Sequence, residues 1–413
     1  MWGAYLTSMS SYLGSVNLNL NIGIFYAMQG IVSLFMPALL GIIADRWIPA
    51  QKLLGISHTI AAVFMLATGY YAYTSGIDVK FSTLFTLYTF SIAFFMPTIA
   101  LSNSVAYSVL RNANLNTIND FPQIRVFGTV GFICAMLITN FVKFSGESMQ
   151  NLPHQFIFSG IIGIVLGIYS FSLPKISINK STKSQNFVEA LGLRAFSLFK
   201  EKKMAIFFIF SMFLGISLQI TNAFANPFIK SFEGIPEYAN TFGANNANAL
   251  ISLSQISEAL CILLIPFFLK KFGIKKVMLI AMFAWVLRFG LLGAGNPGVS
   301  GVWMFILSMI VYGIAFDFFN VSGSLFVDQE TDKSIRSSAQ GLFMMMTNGI
   351  GATIGTLGAQ AVVNHFVYSK TDLTQQVEGW SYAWYIFAAY ALVVAILFAI
   401  IFKYKHEPKK ITK

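Results

Sequence analysis

Four charged side chains stand inside long apolar runs of this 413-residue chain: Arg125, Glu258, Arg288 and Asp317. A charge at the centre of a bilayer costs at least ~2.5–3.5 kcal/mol on insertion scales, so each marks a place where a polar group is kept against its solvation cost. Glu258, Arg288 and Asp317 lie deep inside their predicted helices, whereas Arg125 is close to a helix start and can snorkel. A buried carboxyl that gains a proton from one side and loses it to the other is the minimum equipment for proton coupling. Asp317 and Glu258 are the two candidates, with Arg288 placed to hold one of them ionised. A static Arg–acid pair that only stabilises packing is the alternative.

Spacing extends these points into stripes. Gln255 and Glu258 are i and i+3, as are Gln219 and Asn222, so each pair shares one helix face. Tyr312, Phe316 and Asn320 recur every four residues, with Asp317 one step round. Arg125, Thr129 and Phe132 fall at i, i+4 and i+7. Amides and carboxylates suit a neutral ligand rich in hydroxyls, and aromatic rings suit a flat face. Taken singly, each pair reads equally well as an interhelical hydrogen bond. His58 reads as a hydrogen-bonded structural residue, and Cys134 and Cys261 as packing residues. The sequence shows no metal-ligand cluster, nucleophile–base pair, phosphate-binding glycine loop or nucleotide motif, so neither an enzyme nor a cofactor is expected.

The elements that must position these groups are membrane helices. Apolar residues make up 56% of the chain and charged residues 10%, against roughly 25% charged in an average globular protein. A mean hydropathy of +0.68 cannot be hidden in a water-facing fold. Twelve spans of about the ~20 residues a crossing needs are predicted: 1–16, 22–44, 53–74, 81–104, 124–142, 155–173, 204–229, 247–269, 277–295, 300–327, 339–363 and 381–402. With both termini cytoplasmic, 21 of the 27 Lys and Arg fall inside, and only Lys80, Lys143, Lys230 and Lys370 fall outside. The positive-inside rule favours that orientation, and the net charge of +11 then faces anionic lipid rather than nucleic acid.

The expected architecture is all-α and polytopic, with two six-helix halves around a central cavity. The halves are residues 1–173 and 204–402. A basic cytoplasmic linker, 174–203, joins them and a tail, 403–413, follows. Phe187, Val188, Leu191, Ala195, Leu198 and Phe199 recur at helical spacing, so part of the linker is predicted to be an amphipathic surface helix. The first span is short for a crossing, which suggests a truncated start. No removable signal peptide is visible.

Gly41-Ile-Ile-Ala-Asp45-Arg46, with Lys52 following, resembles the signature loop of the major facilitator superfamily. There Asp45 and Arg46 would act in gating, together with Arg288. Trp47-Ile48-Pro49 departs from the usual form, which has a second glycine and more basic residues. The stretches FMPALLG (35–41), DFPQIRVFGT (120–129), MAIFFIFSM (204–212), LQITN (218–222), SLSQISE (252–258), YGIAFDFFN (312–320), AQGLFMMMTN (339–348) and FKYKH (402–406) resemble the bacterial nucleoside:proton symporters of that superfamily. The resemblance implies proton-driven uptake of purine and pyrimidine nucleosides, uridine and adenosine among them, across the inner membrane; a monomer is the default expectation, the sequence leaving the oligomeric state open. It also implies nucleoside contacts at Arg125, Thr129, Phe132, Gln219, Asn222, Gln255, Glu258, Tyr312 and Phe316, and proton coupling at Asp317. In the transport cycle the halves would rock about the site, with Gly349, Gly351 and Gly355 easing the sliding. A proton symporter of sugars or other polyols, a drug exporter of the same fold and a non-transporting nutrient sensor are the competing readings.

Overall fold

A computed structural model describes residues 1–115, 117–176, 193–332 and 335–404. Residues 2–15 form a 3-10 turn, Trp2–Ala4, and a short helix α1, Met9–Ser15. There follow α2 (Ile22–Arg46), α3 (Ala50–Ser75), α4 (Phe81–Asn112), α5 (Thr117–Phe141) and α6 (His154–Phe171), then α7 (Lys202–Ser231). The predicted eighth and ninth spans form one helical run, Ala247–Ala294, interrupted at Gly273 by φ 75° and ψ 167°. These are α8 (247–272) and α9 (274–294). The turn expected around 270–276 therefore narrows to one residue, and only glycine takes that backbone conformation without steric cost.

Helix α10 is Val302–Glu330. Helix α11 is composite: Arg336–Met344, a π-helical stretch Met345–Gly351, Ala352–Val363 and a second π turn Asn364–Tyr368. Helix α12, Leu373–Ile401, starts well before the predicted 381, because the Asp372 side chain caps it by accepting from the Gln375 N–H at 3.0 Å. Polar residues likewise carry α4 past its apolar core to Asn112, and α5 starts at Thr117 rather than 124. A two-residue hairpin, Lys143–Phe144 against Glu147–Ser148, links α5 to α6.

Nine helices among the described residues are long and apolar enough to cross a membrane, with α8 and α9 counted as one. The remaining two predicted spans are the short α1 and the interrupted α11. Of the predicted amphipathic linker helix, Phe187, Val188 and Leu191 lie outside the described residues. Leu193–Lys200 forms a 3-10 helix that buries Ala195 and Leu198.

Two compact units emerge: Met1–Leu18 with Met28–Leu193, and Asn19–Ala27 with Arg194–Lys413. In the first, Leu40, Leu53, Leu54, Leu101 and Val105 form a cluster that fastens the end of α2 to α3 and α4. In the second, the Phe207 ring packs among Phe319, Phe326 and Phe343, tying α7 to α10 and α11. A Cβ on Gly215 would run into the Thr347 carbonyl, and one on Gly351 into the Met212 carbonyl, so α7 meets the π stretch of α11 backbone to backbone. Gly351 and Gly355 thus face α7 of their own unit, where they allow close packing. At the other end of α11, the Gly23 N–H donates to the Gln360 Oε1 at 2.6 Å, and the Gln360 amide donates to the Asn19 carbonyl at 3.1 Å.

Candidate substrate and proton site

In the second unit, α8, α9 and α10 bring together most of the residues singled out by spacing. Arg288 on α9 is 1% exposed. Its Nη1 donates to the Ser308 carbonyl at 2.6 Å and to the Ser254 hydroxyl at 3.4 Å, and the Ser308 hydroxyl donates back to the Arg288 carbonyl at 3.0 Å. Its guanidinium carbon lies 4.7 Å from the centroid of the Tyr312 ring. Among the described residues the hydrogen-bond partners of Arg288 are Ser254, Ser308 and Met309, so the expected role of holding an acid ionised is not carried by a direct hydrogen-bonded pair. A cation–π contact and a backbone carbonyl compensate the buried charge instead.

Tyr312 is the hub. Its side chain shares a hydrogen bond with Gln255 and is within electrostatic reach of Glu258, Arg288 and Asp317. Its ring stacks on Phe316, four residues on, with centroids 5.7 Å apart and planes inclined by 9°. Trp285 meets it edge-on at 6.0 Å. Asp317 is buried at 5% exposure and within electrostatic reach of Cys261 on α8 as well as Tyr312 on its own helix. Glu258 and Gln255 are half-buried on α8. On α7 the Asn222 amide donates to the Gln219 Oε1 at 3.3 Å, which fixes the i, i+3 pair as one unit.

In the first unit, α5 presents Arg125 exposed, with Thr129 and Phe132 half-buried. Phe132 lies against the N-terminal turn: a Cβ on Gly3 would collide with it, and the Trp2 indole stands edge-on to its ring at 6.4 Å and 87°. Asp45 and Arg46 close α2, and their side chains lie outside the described residues. His58 is buried beside Phe95, and its Nδ1 has no hydrogen-bond partner among the described residues, so it is not the bonded histidine that was expected. Cys261 is buried as expected of a packing residue, but Cys134 is exposed. Among the described residues no group of three His, Cys, Asp or Glu is placed to hold a metal.

Spacing missed Trp285 and the serines that receive Arg288. Trp285 is i−3 from Arg288 and shares its face of α9, so the signal was present but carried no charge to draw attention. Ser254 and Ser308 carried none.

The profile of the family described as Nucleoside H+ symporter matches residues 1–407. The chain belongs to that family. It is 44% identical to the xanthosine permease of Escherichia coli K12 over 415 residues, covering 100% of this chain and 94% of that protein. It is also 44% identical to the nucleoside permease NupG of the same organism over 409 residues, covering 98% and 93%. A crystal structure of the nucleoside transporter NupG superposes with a TM-score of 0.85 at 42% identity, covering 98% of this chain and 96% of that one. A D-xylose–proton symporter structure superposes with a TM-score of 0.66 at 14% identity, over 99% and 95%, a likeness of fold alone. This symporter-family chain is a transporter, a multi-pass membrane protein with the twelve-helix major facilitator fold.

Proposed function

We propose that the chain takes up purine and pyrimidine nucleosides, uridine and adenosine among them, together with protons. It acts as a monomer in the cytoplasmic membrane with both termini inside. The observation that carries this reading is the α8–α10 cluster, in which a buried carboxyl, Asp317, adjoins a stacked aromatic pair and a hydrogen-bonded amide. Gln255 and Glu258 take ribose hydroxyls, and Gln219 and Asn222 read base edges. Phe316 and Phe132 pack on the ring, with Tyr312, Arg125 and Thr129 completing the contacts. Asp317 takes a proton when the site faces out, which removes a buried charge and favours nucleoside binding, and releases it when the site faces in. Asp45 and Arg46 act in gating. Family membership and the 44% identity to two permeases support the nucleoside as substrate.

The test is uptake of labelled uridine into proteoliposomes with and without an inward proton gradient. Accumulation that follows the gradient and collapses with an uncoupler is the expected result. Accumulation of a labelled polyol but not of uridine would overturn the reading in favour of a sugar symporter.

A further inference from the structure

Helix α8 turns a row of apolar side chains outward as it nears Gly273. Leu260, Leu263, Leu264 and Phe267 stand at i, i+3, i+4 and i+7, and all four are exposed, Leu263 to 74%. One turn further on, the same face carries Lys270 and Lys271, both exposed. Helix α9 repeats the arrangement in reverse. Exposed Lys276 begins a face that continues through Phe283 and Leu287, exposed at i+7 and i+11. In a membrane-spanning chain, outward apolar faces of this kind are covered by lipid. The break at Gly273 lies between the two, so both faces end in lysines at one corner.

The fourth lysine of the corner already has a partner. Lys275 is half-buried, and its Nζ donates to the Ala399 carbonyl at 3.1 Å, one of the last-turn carbonyls of α12 that lack an intrahelical partner. That bond holds the corner against the end of α12. Lys271 lies over two rings, with Nζ 5.6 Å from the centroid of Phe267 and 5.4 Å from that of Phe272. The two contacts keep its charge at the foot of the apolar face. Among the described residues no ion pair joins Lys270, Lys271 or Lys276 to an acid. Three exposed positive charges thus stand where two lipid-covered faces end.

We propose that this corner binds an anionic phospholipid, with its phosphates against Lys270, Lys271 and Lys276 and its acyl chains along the exposed faces of α8 and α9. Charge complementarity selects the head group: a zwitterionic lipid brings a cation of its own to the lysines, and an anionic one does not. A free phosphate ester lacks the chains, so it forgoes the apolar contacts. Diphosphatidylglycerol, with two phosphodiesters and four chains, matches both sides of the corner at once. Lysines that only orient the chain in the membrane need no such continuity with apolar faces. The inference is independent of which solute is carried.

The experiment titrates fluorescent diphosphatidylglycerol into the full chain in neutral detergent, for the wild type and for Lys270→Gln/Lys271→Gln/Lys276→Gln. One lysine near an anionic surface contributes about fivefold in affinity, so the triple variant should bind at least about tenfold more weakly. Phosphatidylcholine should bind both proteins weakly and alike. The control Lys200→Gln/Lys202→Gln/Lys403→Gln removes the same charge from other exposed positions and should keep wild-type affinity. Should the triple variant fail to fold, the three single glutamine variants decide the matter, each with a smaller loss in the same direction. Affinity within twofold of wild type overturns the proposal. So does an equal loss in the control, which marks diffuse attraction to charge, and so does displacement of the lipid by glycerol 3-phosphate, which marks a site for free phosphate.

Discussion

The guanidinium of Arg288 lies face-on to Tyr312, 4.7 Å from the ring centroid, while its Nη1 is anchored on the Ser308 carbonyl one turn before that tyrosine. A buried cation thereby fixes the ring that stacks on Phe316 and bonds Gln255. A desolvated cation–π contact contributes about 2 kcal/mol, which corresponds to roughly thirtyfold in an equilibrium constant. Arg288→Lys keeps the charge but loses the planar fork, so uridine affinity should weaken by about tenfold while the protein stays folded. Arg288→Met should weaken it further. Isothermal titration together with thermal unfolding in detergent separates the two effects, and unchanged affinity in both variants would remove Arg288 from the site.

Asp317 and Glu258 are both acids within electrostatic reach of Tyr312, but they differ in burial. Asp317→Asn removes the titrating group while keeping shape, so the variant should exchange labelled uridine against unlabelled uridine across a membrane. It should not concentrate uridine when a proton gradient is imposed. Counterflow and gradient-driven uptake in the same proteoliposomes measure the two activities. Gradient-driven accumulation that survives in Asp317→Asn moves the proton to Glu258.

Glu258 is assigned to the ribose, and that has its own signature. Wild type should bind uridine more tightly than 2′,3′-dideoxyuridine by about tenfold or more, since a hydrogen bond to a charged group contributes roughly 1.5–3 kcal/mol. In Glu258→Gln this discrimination should shrink, because the neutral amide holds a hydroxyl more weakly. Competition of each nucleoside against labelled uridine reads it directly. Equal discrimination in the two proteins would place the ribose elsewhere.

The depth of Glu258, Arg288 and Asp317 and the shared faces of Gln255 with Glu258 and of Gln219 with Asn222 were legible in the sequence. They follow from helical geometry within one span, and local spacing is what a sequence displays. The partners of Arg288 were not legible, because Ser308 and Tyr312 lie on another helix and polar serines do not stand out among apolar residues. The π stretch of α11 was hidden for a related reason. Ala339–Val363 reads as one uninterrupted apolar span, and its distortion arises where Gly215 of α7 admits the Thr347 carbonyl. The break at Gly273 was half visible: the basic cluster of 270–276 announced a turn, but the single residue that makes it depends on the backbone angles.

The contact of α7 with α11 is the most crowded part of the second unit and gives the sharpest stability prediction. Gly215 faces the Thr347 carbonyl and Gly351 faces the Met212 carbonyl, so any side chain at either position must push two backbones apart. Overpacking of this kind costs typically ~1–3 kcal/mol, and backbone atoms yield less readily than side-chain ends. Gly215→Ala should therefore lower the unfolding temperature in detergent by several degrees. Gly341→Ala, at a position of α11 with open space around it, should leave that temperature close to wild type. The pair matters because Thr347 and Asn348 are consecutive: displacing α11 also moves Asn348 away from Leu218 and widens a small cleft that the two border with Phe316. Gly215→Ala should thus weaken binding of uridine as well as unfold earlier. A variant that loses thermal stability but binds uridine as wild type does would show that the helix contact supports the fold without shaping the site.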